Sequence, residues 1–191
     1  MKKIVLATGS ERKKRLFALL GLDFNIVDHS FDEKSVKATD PNKHTAAIAK
    51  GKVDSILSQH KDSVIIGMDT VVAYKDRILE KPIDANDAVE MLRFLNGSVH
   101  TVVTSLYMYD TTDGRAISKT VVTNIHFKEL EDSDLVAYVE KENVLDIAGA
   151  YNHESLGSIL LKKIDGDYYN SIGLPLSVIA EELKRFDIQV L

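Results

Sequence analysis

Lys3-Ile4-Val5-Leu6-Ala7-Thr8-Gly9-Ser10-Glu11-Arg12-Lys13 is the stretch that decides the fold class of this chain. Lys3 to Ala7 is an apolar run of strand length, Thr8-Gly9 is a turn, and Ser10 is an N-cap for a helix that would end at Leu20, before Gly21. A strand that turns directly into a helix aims free amides and the positive end of the helix dipole at one point, which suits an oxyanion. Arg12 and Lys13 add charge there. The same residues also fit a capped surface helix with solvated basic side chains, since strand-turn-helix units are common.

Moving outward, Phe24 to Val27 forms a second strand and opens into an acidic loop with Asp28, Asp32 and Glu33. Asp40-Pro41 is a cap followed by a first helical residue, so a second helix is expected to run to about His60. Val64 to Val72 is β-rich with a carboxylate, Asp69, at its centre. Burying it there is costly unless a cation or donor network meets it. The competing structural reading is an aspartate at a strand end or bulge that bonds backbone amides. Lys75-Asp76 is a turn leading to Ile78-Leu79, then Glu80-Lys81-Pro82. A helix follows from about Asp84 to Asn96-Gly97.

Val99 to Tyr109 and Ala116 to Phe127 are long β-rich segments joined through Asp110 to Arg115, a hairpin. A short helix at Asp134 to Lys141 precedes a glycine-containing loop, Ala148 to Gly157, and a strand from Ser158 to Ile164. Asp165-Gly166 is a turn. Leu174-Pro175 starts a final amphipathic helix that turns Ile179, Leu183 and Phe186 to the core. Strands alternating with helices, with hairpins intruding, predict an α/β fold with a mixed, twisted sheet flanked by helices. No repeat or linker divides the chain, so residues 1-191 are expected to form a single domain.

The 191 residues are 45% apolar and 28% charged, with a net charge of -5 and a pI near 5.7. No segment is apolar for long enough to span a bilayer, and the apolar run after Lys3 is too short for a signal peptide, so a cytoplasmic location is expected. The acidic balance disfavours nucleic acid as a partner, and no membrane partner is expected. Cysteine is absent, which excludes disulfides, thiolate metal sites and a cysteine nucleophile. The six histidines form no close pair at metal-ligand spacing, which disfavours zinc. The Walker lysine loop, the dinucleotide glycine fingerprint and the nucleophile elbow are all missing. Asp28, Asp32 and Glu33 offer hard oxygen ligands to magnesium or manganese, although an acidic surface loop is the commoner explanation. Lys52, in the middle of the second helix, is most simply a solvated lysine.

Taken in order, Leu6-Ala7-Thr8-Gly9-Ser10-Glu11-Arg12-Lys13, Glu33, Lys52, Gly67-Met68-Asp69-Thr70, Glu80-Lys81-Pro82, Ala148-Gly149-Ala150-Tyr151, Lys163-Ile164-Asp165-Gly166 and Gly173-Leu174-Pro175 resemble the Maf family over nearly the whole chain. The resemblance implies an elongated fold related to that of inosine triphosphate pyrophosphatases, with a nucleotide cleft between two lobes, and commonly a homodimer. It implies a nucleoside triphosphate pyrophosphatase that cuts between the α and β phosphates with a divalent metal, Mg2+ or Mn2+, as cofactor. Removal of noncanonical or modified nucleotides is the implied role.

By the same resemblance Asp69 is the catalytic proton acceptor. Ser10, Arg12, Lys13, Lys52 and Lys81 grip the triphosphate, and Glu33 and Asp69 hold the metal. Thr8 stands where the family usually has serine, and Lys13 where it usually has a second arginine, which replaces a planar bidentate fork with a point charge. Thr70 matches relatives that act on thymidine and uridine triphosphates. Glu154 stands where those relatives have glutamine and is similar to relatives acting on 7-methylguanosine triphosphate, so the base stays open. A non-catalytic nucleotide sensor acting in cell division is the alternative from another class. Asp69 argues against it, because a sensor has no need of a water-activating carboxylate.

Overall fold

The computed structural model describes residues 2–191. Among these residues seven strands lie in one mixed sheet: β1 (Lys3–Ala7), β2 (Phe24–Val27), β3 (Ser63–Tyr74), β4 (Arg77–Leu79), β5 (Val99–Asp110), β6 (Ala116–Phe127) and β7 (Leu161–Asp165). Their hydrogen-bonded order is β2-β1-β3-β5-β6-β7, with β4 attached to β3. Among the described residues six α-helices accompany them: α1 (Glu11–Ala18), α2 (Pro41–Asp54), α3 (Ala85–Leu95), α4 (Asp132–Lys141), α5 (Tyr168–Ser171) and α6 (Leu176–Leu183). The α/β class and the mixed sheet expected from the sequence are both present. Among the described residues, no helix is long and apolar enough to cross a membrane.

The chain divides into two compact units, and β3, β5 and β6 each contribute residues to both. The first unit comprises the residues up to Asp69, Thr104–Val121 and Gly173–Leu191. In it β1 pairs in parallel with β2 on one side, Ala7 opposite Val27, and with β3 on the other, Ala7 opposite Gly67. The chain thus leaves β1 through α1 to one neighbour and returns through α2 to the other. In an open parallel sheet the carboxyl ends of strands at such a reversal form a natural binding crevice. Val5, Ala7, Val53, Ile56 and Ile65 pack as an apolar cluster beneath that end.

The second unit comprises Thr70–Val103 and Val122–Ile172. Its core gathers Leu92 and Leu95 of α3, Leu135 and Tyr138 of α4, and Val102, Ile125 and Phe127 of the sheet. Here β6 pairs antiparallel with β7, and β3 pairs antiparallel with β4.

Two expectations are corrected, and one element is new. The second helix stops at Asp54, short of His60, because Ser55 closes it with its N–H on the Gly51 carbonyl and a separate 3-10 turn covers Leu57–Gln59. The predicted strand from Ser158 is a 3-10 turn over Leu156–Leu160, and β7 begins only at Leu161. That turn is held by Ser158 N–H donating to the Ser155 carbonyl, and at Gly157 a Cβ would stand 2.5 Å from the Asn152 carbonyl oxygen. The short helix α5 was not foreseen; the Asp167 carboxylate caps it by accepting from Asn170 N–H at 2.8 Å.

Candidate active site

At the end of β1 the turn expected to receive an anion is built as the sequence suggests. Thr8 Oγ1 accepts the Ser10 N–H at 3.1 Å. The Ser10 backbone is extended, and its hydroxyl accepts from Lys13 N–H at the start of α1. This leaves Arg12 and Lys13 in the first turn of the helix, where the dipole is positive. Lys13 Nζ donates to the Met68 carbonyl at 3.4 Å. Burial first, and then the neighbouring Lys52, lowers the Lys13 pKa to about 7.

Lys52 overturns the solvated reading. It is 6% exposed and lies beside Asp69, which is 8% exposed. Its ammonium donates to Asp69 Oδ1 at 3.2 Å and to the Met68 carbonyl at 3.4 Å, and it stands 3.2 Å from Glu33 Oε1. One buried cation thus gathers the two carboxylates named from sequence as metal ligands. This also explains how Asp69 is tolerated inside a strand: a buried charge persists when paired and hydrogen-bonded.

Two glycines make the arrangement sterically possible. A Cβ on Gly67 would stand 2.2 Å from the Ala49 carbonyl oxygen and 2.7 Å from Val53 Cγ2. Helix α2 therefore rests directly on β3 there, and Lys52, on the same turn of helix, reaches Asp69. A Cβ on Gly51 would stand 2.4 to 2.6 Å from three ring carbons of Phe31. The Phe31 ring occupies that notch in α2, which brings the loop carrying Glu33 over Lys52.

His29 joins this group although sequence reading assigned it nothing. Its Nε2 is 3.4 Å from Glu33 Oε1, and its side chain is 16% exposed. Burial, followed by Lys52, lowers its pKa. The one signal available was its position four residues before Glu33, with no helix there to give that spacing meaning. Among the described residues, no group of three or more histidine, cysteine or acidic side chains is arranged to hold a metal ion.

The remaining candidates belong to the second unit. Thr70 follows Asp69 on β3 and is partly buried. Lys81 forms an ion pair with Asp146, both side chains being largely exposed. The Glu80 carbonyl accepts the Gly149 N–H at 3.1 Å, which ties Glu80-Lys81-Pro82 to the loop after α4. That loop demands its glycine: Gly149 has φ +73, and a Cβ there would stand 2.8 Å from Val72 Cγ2. Beyond it, the Tyr151 hydroxyl is 2.9 Å from His100 Nε2, and Glu154 N–H donates to Asn152 Oδ1 at 3.2 Å. Lys163 and Asp165 pair with each other on β7, in keeping with the structural reading of the Asp165-Gly166 turn.

Comparison with known proteins agrees with the motif pattern. Among curated relatives, the dTTP/UTP pyrophosphatase of Acetivibrio thermocellus is 41% identical, covering 100% of this chain and 98% of the relative. That of Thermoanaerobacter pseudethanolicus is 37% identical over 99% of this chain and its own full length. Solved structures with some likeness include a Ham1 protein from Coxiella burnetii, with TM-score 0.41 and 14% identity over 66% of this chain and 73% of that one. The Staphylococcus aureus Ham1 protein gives TM-score 0.45 and 13% identity over 95% and 100%. The family model described as Maf-like protein matches residues 3–186, and the chain belongs to the Maf family.

Proposed function

We propose that this chain is a nucleoside triphosphate pyrophosphatase that hydrolyses the anhydride between the α and β phosphates, releasing a nucleoside monophosphate and pyrophosphate. The observation that carries the reading is the buried Asp69–Lys52 pair, joined by the half-exposed Glu33, beside the basic N-terminus of α1. The names of the full-length relatives add support. A non-catalytic sensor has no use for a carboxylate buried in the middle of a strand beside the proposed phosphate site.

In this reading Asp69 accepts a proton from water as the water oxygen bonds to the α phosphorus. The bond from that phosphorus to the bridging oxygen breaks, and pyrophosphate departs with the electron pair. Ser10, Arg12 and Lys13, at the N-terminus of α1, hold phosphate oxygens; Thr8 shapes the turn; Lys52 and Lys81 supply further positive charge. A triphosphate carries about four negative charges at neutral pH, so an acidic protein that binds one needs such clustered donors. General-base assistance of this kind contributes roughly 10²- to 10⁴-fold.

The donor chemistry fits a divalent cation. Glu33 and Asp69 each bring a carboxylate to within 3.2 Å of one ammonium, and magnesium commonly takes one or two carboxylates together with substrate phosphates and water. Glu33 and Asp69 would hold it, and when bound it would neutralise charge on phosphate oxygens. On the resemblance to the family, the protein would act in the cytoplasm as a homodimer.

For the base, dTTP or UTP is the proposed substrate class, following the names of the relatives and Thr70. Glu154 favours a second reading, a 7-methylguanosine triphosphate, because a carboxylate can only accept and guanine offers N–H donors on its edge. The test is product analysis with Mg2+ or Mn2+ on dTTP, UTP, 7-methylguanosine triphosphate and deaminated purine triphosphates. Monophosphate plus pyrophosphate is expected, most rapidly from dTTP or UTP. Diphosphate plus inorganic phosphate, or binding without turnover, would refute the assignment; a clear lead for 7-methylguanosine triphosphate would move the base reading to Glu154.

A further inference from the structure

We infer that His29 is a positioning residue, which directs an Nε2–H donor at Glu33 and holds that carboxylate against Lys52. The inference rests on the functional reading above and extends it to a residue that reading does not use.

Three side chains of the loop after β2 turn toward α2. His29 faces Glu33 Oε1 at 3.4 Å, Phe31 fills the notch at Gly51, and Glu33 meets Lys52 at 3.2 Å. The first and last converge on one oxygen, Oε1. That oxygen therefore lies between a histidine nitrogen and an ammonium, which fixes the direction in which the carboxylate points. The 3.4 Å separation is long for a hydrogen bond, so the contact orients the carboxylate chiefly by electrostatic attraction.

The tautomer follows from burial. His29 Nδ1 is buried and has no hydrogen-bond partner. A bare acceptor nitrogen is better tolerated in that position than an N–H with nowhere to donate, since orphaned buried N–H groups are the rarer kind. The proton then resides on Nε2, which faces the carboxylate. A donor aimed at a metal-binding carboxylate is the arrangement by which outer partners fix a ligand's orientation.

The test compares His29→Phe, which keeps a ring but removes the donor, with His29→Gln, which restores an N–H. Free Mn2+ is followed by electron paramagnetic resonance without nucleotide, alongside kcat, KM and the melting temperature. His29→Phe is expected to weaken Mn2+ binding by about 10- to 100-fold and to lower kcat/KM, with little change in melting temperature. His29→Gln is expected to recover most of both losses. Unchanged Mn2+ affinity in His29→Phe, or a glutamine variant no better than phenylalanine, overturns the inference, as does a wild-type protein that binds no Mn2+. Wild-type protein that binds Mn2+ but cleaves no triphosphate overturns the functional reading alone, because the Mn2+ titration still reports on His29.

Discussion

Gly67→Ala tests whether the contact of α2 with β3 is what delivers Lys52 to Asp69. The added Cβ would stand 2.2 Å from the Ala49 carbonyl oxygen, where ordinary contact begins at 3.4 Å. A backbone oxygen cannot rotate aside as a side chain does, so the helix must withdraw by roughly 1 Å to relieve the overlap. Overpacking of this kind costs about 1–3 kcal/mol, which for a chain of this size corresponds to a melting temperature lower by roughly 2–12 °C. Lys52 travels with the helix, and it currently stands 3.2 Å from both Asp69 and Glu33. A displacement of about 1 Å in a positioned group can reduce turnover on the order of 10²-fold. Thermal unfolding and steady-state pyrophosphate release from one preparation measure both effects. A Gly67→Ala protein with wild-type melting temperature and wild-type kcat/KM would refute the reasoning. Loss of stability with unchanged turnover would show that Lys52 does not depend on this contact.

Two further perturbations probe individual charges. Asp69→Asn is expected to reduce turnover by about 10²- to 10⁴-fold while the fold and much of the nucleotide binding persist; wild-type turnover in this variant would overturn the assignment of Asp69 as proton acceptor. Lys13, with its pKa lowered to about 7, is mostly neutral at pH 8, and a bound polyanion favours its charged form, so triphosphate binding at pH 8 should take up close to one proton. The uptake should vanish below about pH 6 and in Lys13→Arg, as checked by calorimetry in buffers of different ionisation enthalpy. The same shift makes the ligand-free protein more stable as pH rises from about 7 toward 10.5, since the unfolded chain holds the Lys13 proton through that window and the folded chain does not.

Local chemistry made most of the fold legible. Ser10, Asp40 and Asp84 each cap a helix through a side-chain oxygen, and the hairpin closes with Asp110 N–H on the Arg115 carbonyl at 2.9 Å, as the turn residues suggested. The failures lay where tertiary contacts decide. Residues 55–60 carry helix-compatible side chains, but Ile56 is drawn into the core and the helix gives way to a 3-10 turn. Residues 156–160 are apolar enough for a strand. They curl because Gly157 lets the backbone approach Asn152, a contact that sequence spacing does not announce.

The site divides in the same way. Asp69 was visible because a carboxylate inside an apolar strand run is improbable without a partner, and the register that sets Ala7 opposite Gly67 brings the end of β1 alongside it. Lys52 was misread because α2 is only weakly amphipathic in sequence; its burial comes from two glycines, one beneath a carbonyl of the helix and one beneath a ring of the preceding loop. Those glycines carry no charge and match no chemical motif, yet they determine where the charges stand. With Lys52 partnered on both Asp69 and Glu33, a phosphate can gain its ammonium only by competing with those carboxylates. On the proposed reading, the same lysine that makes a buried Asp69 tolerable would couple nucleotide binding to the state of the residue proposed to accept the proton. Truncating Lys52 would disturb the binding of phosphate and the placement of the base together, whereas Asp69→Asn separates them.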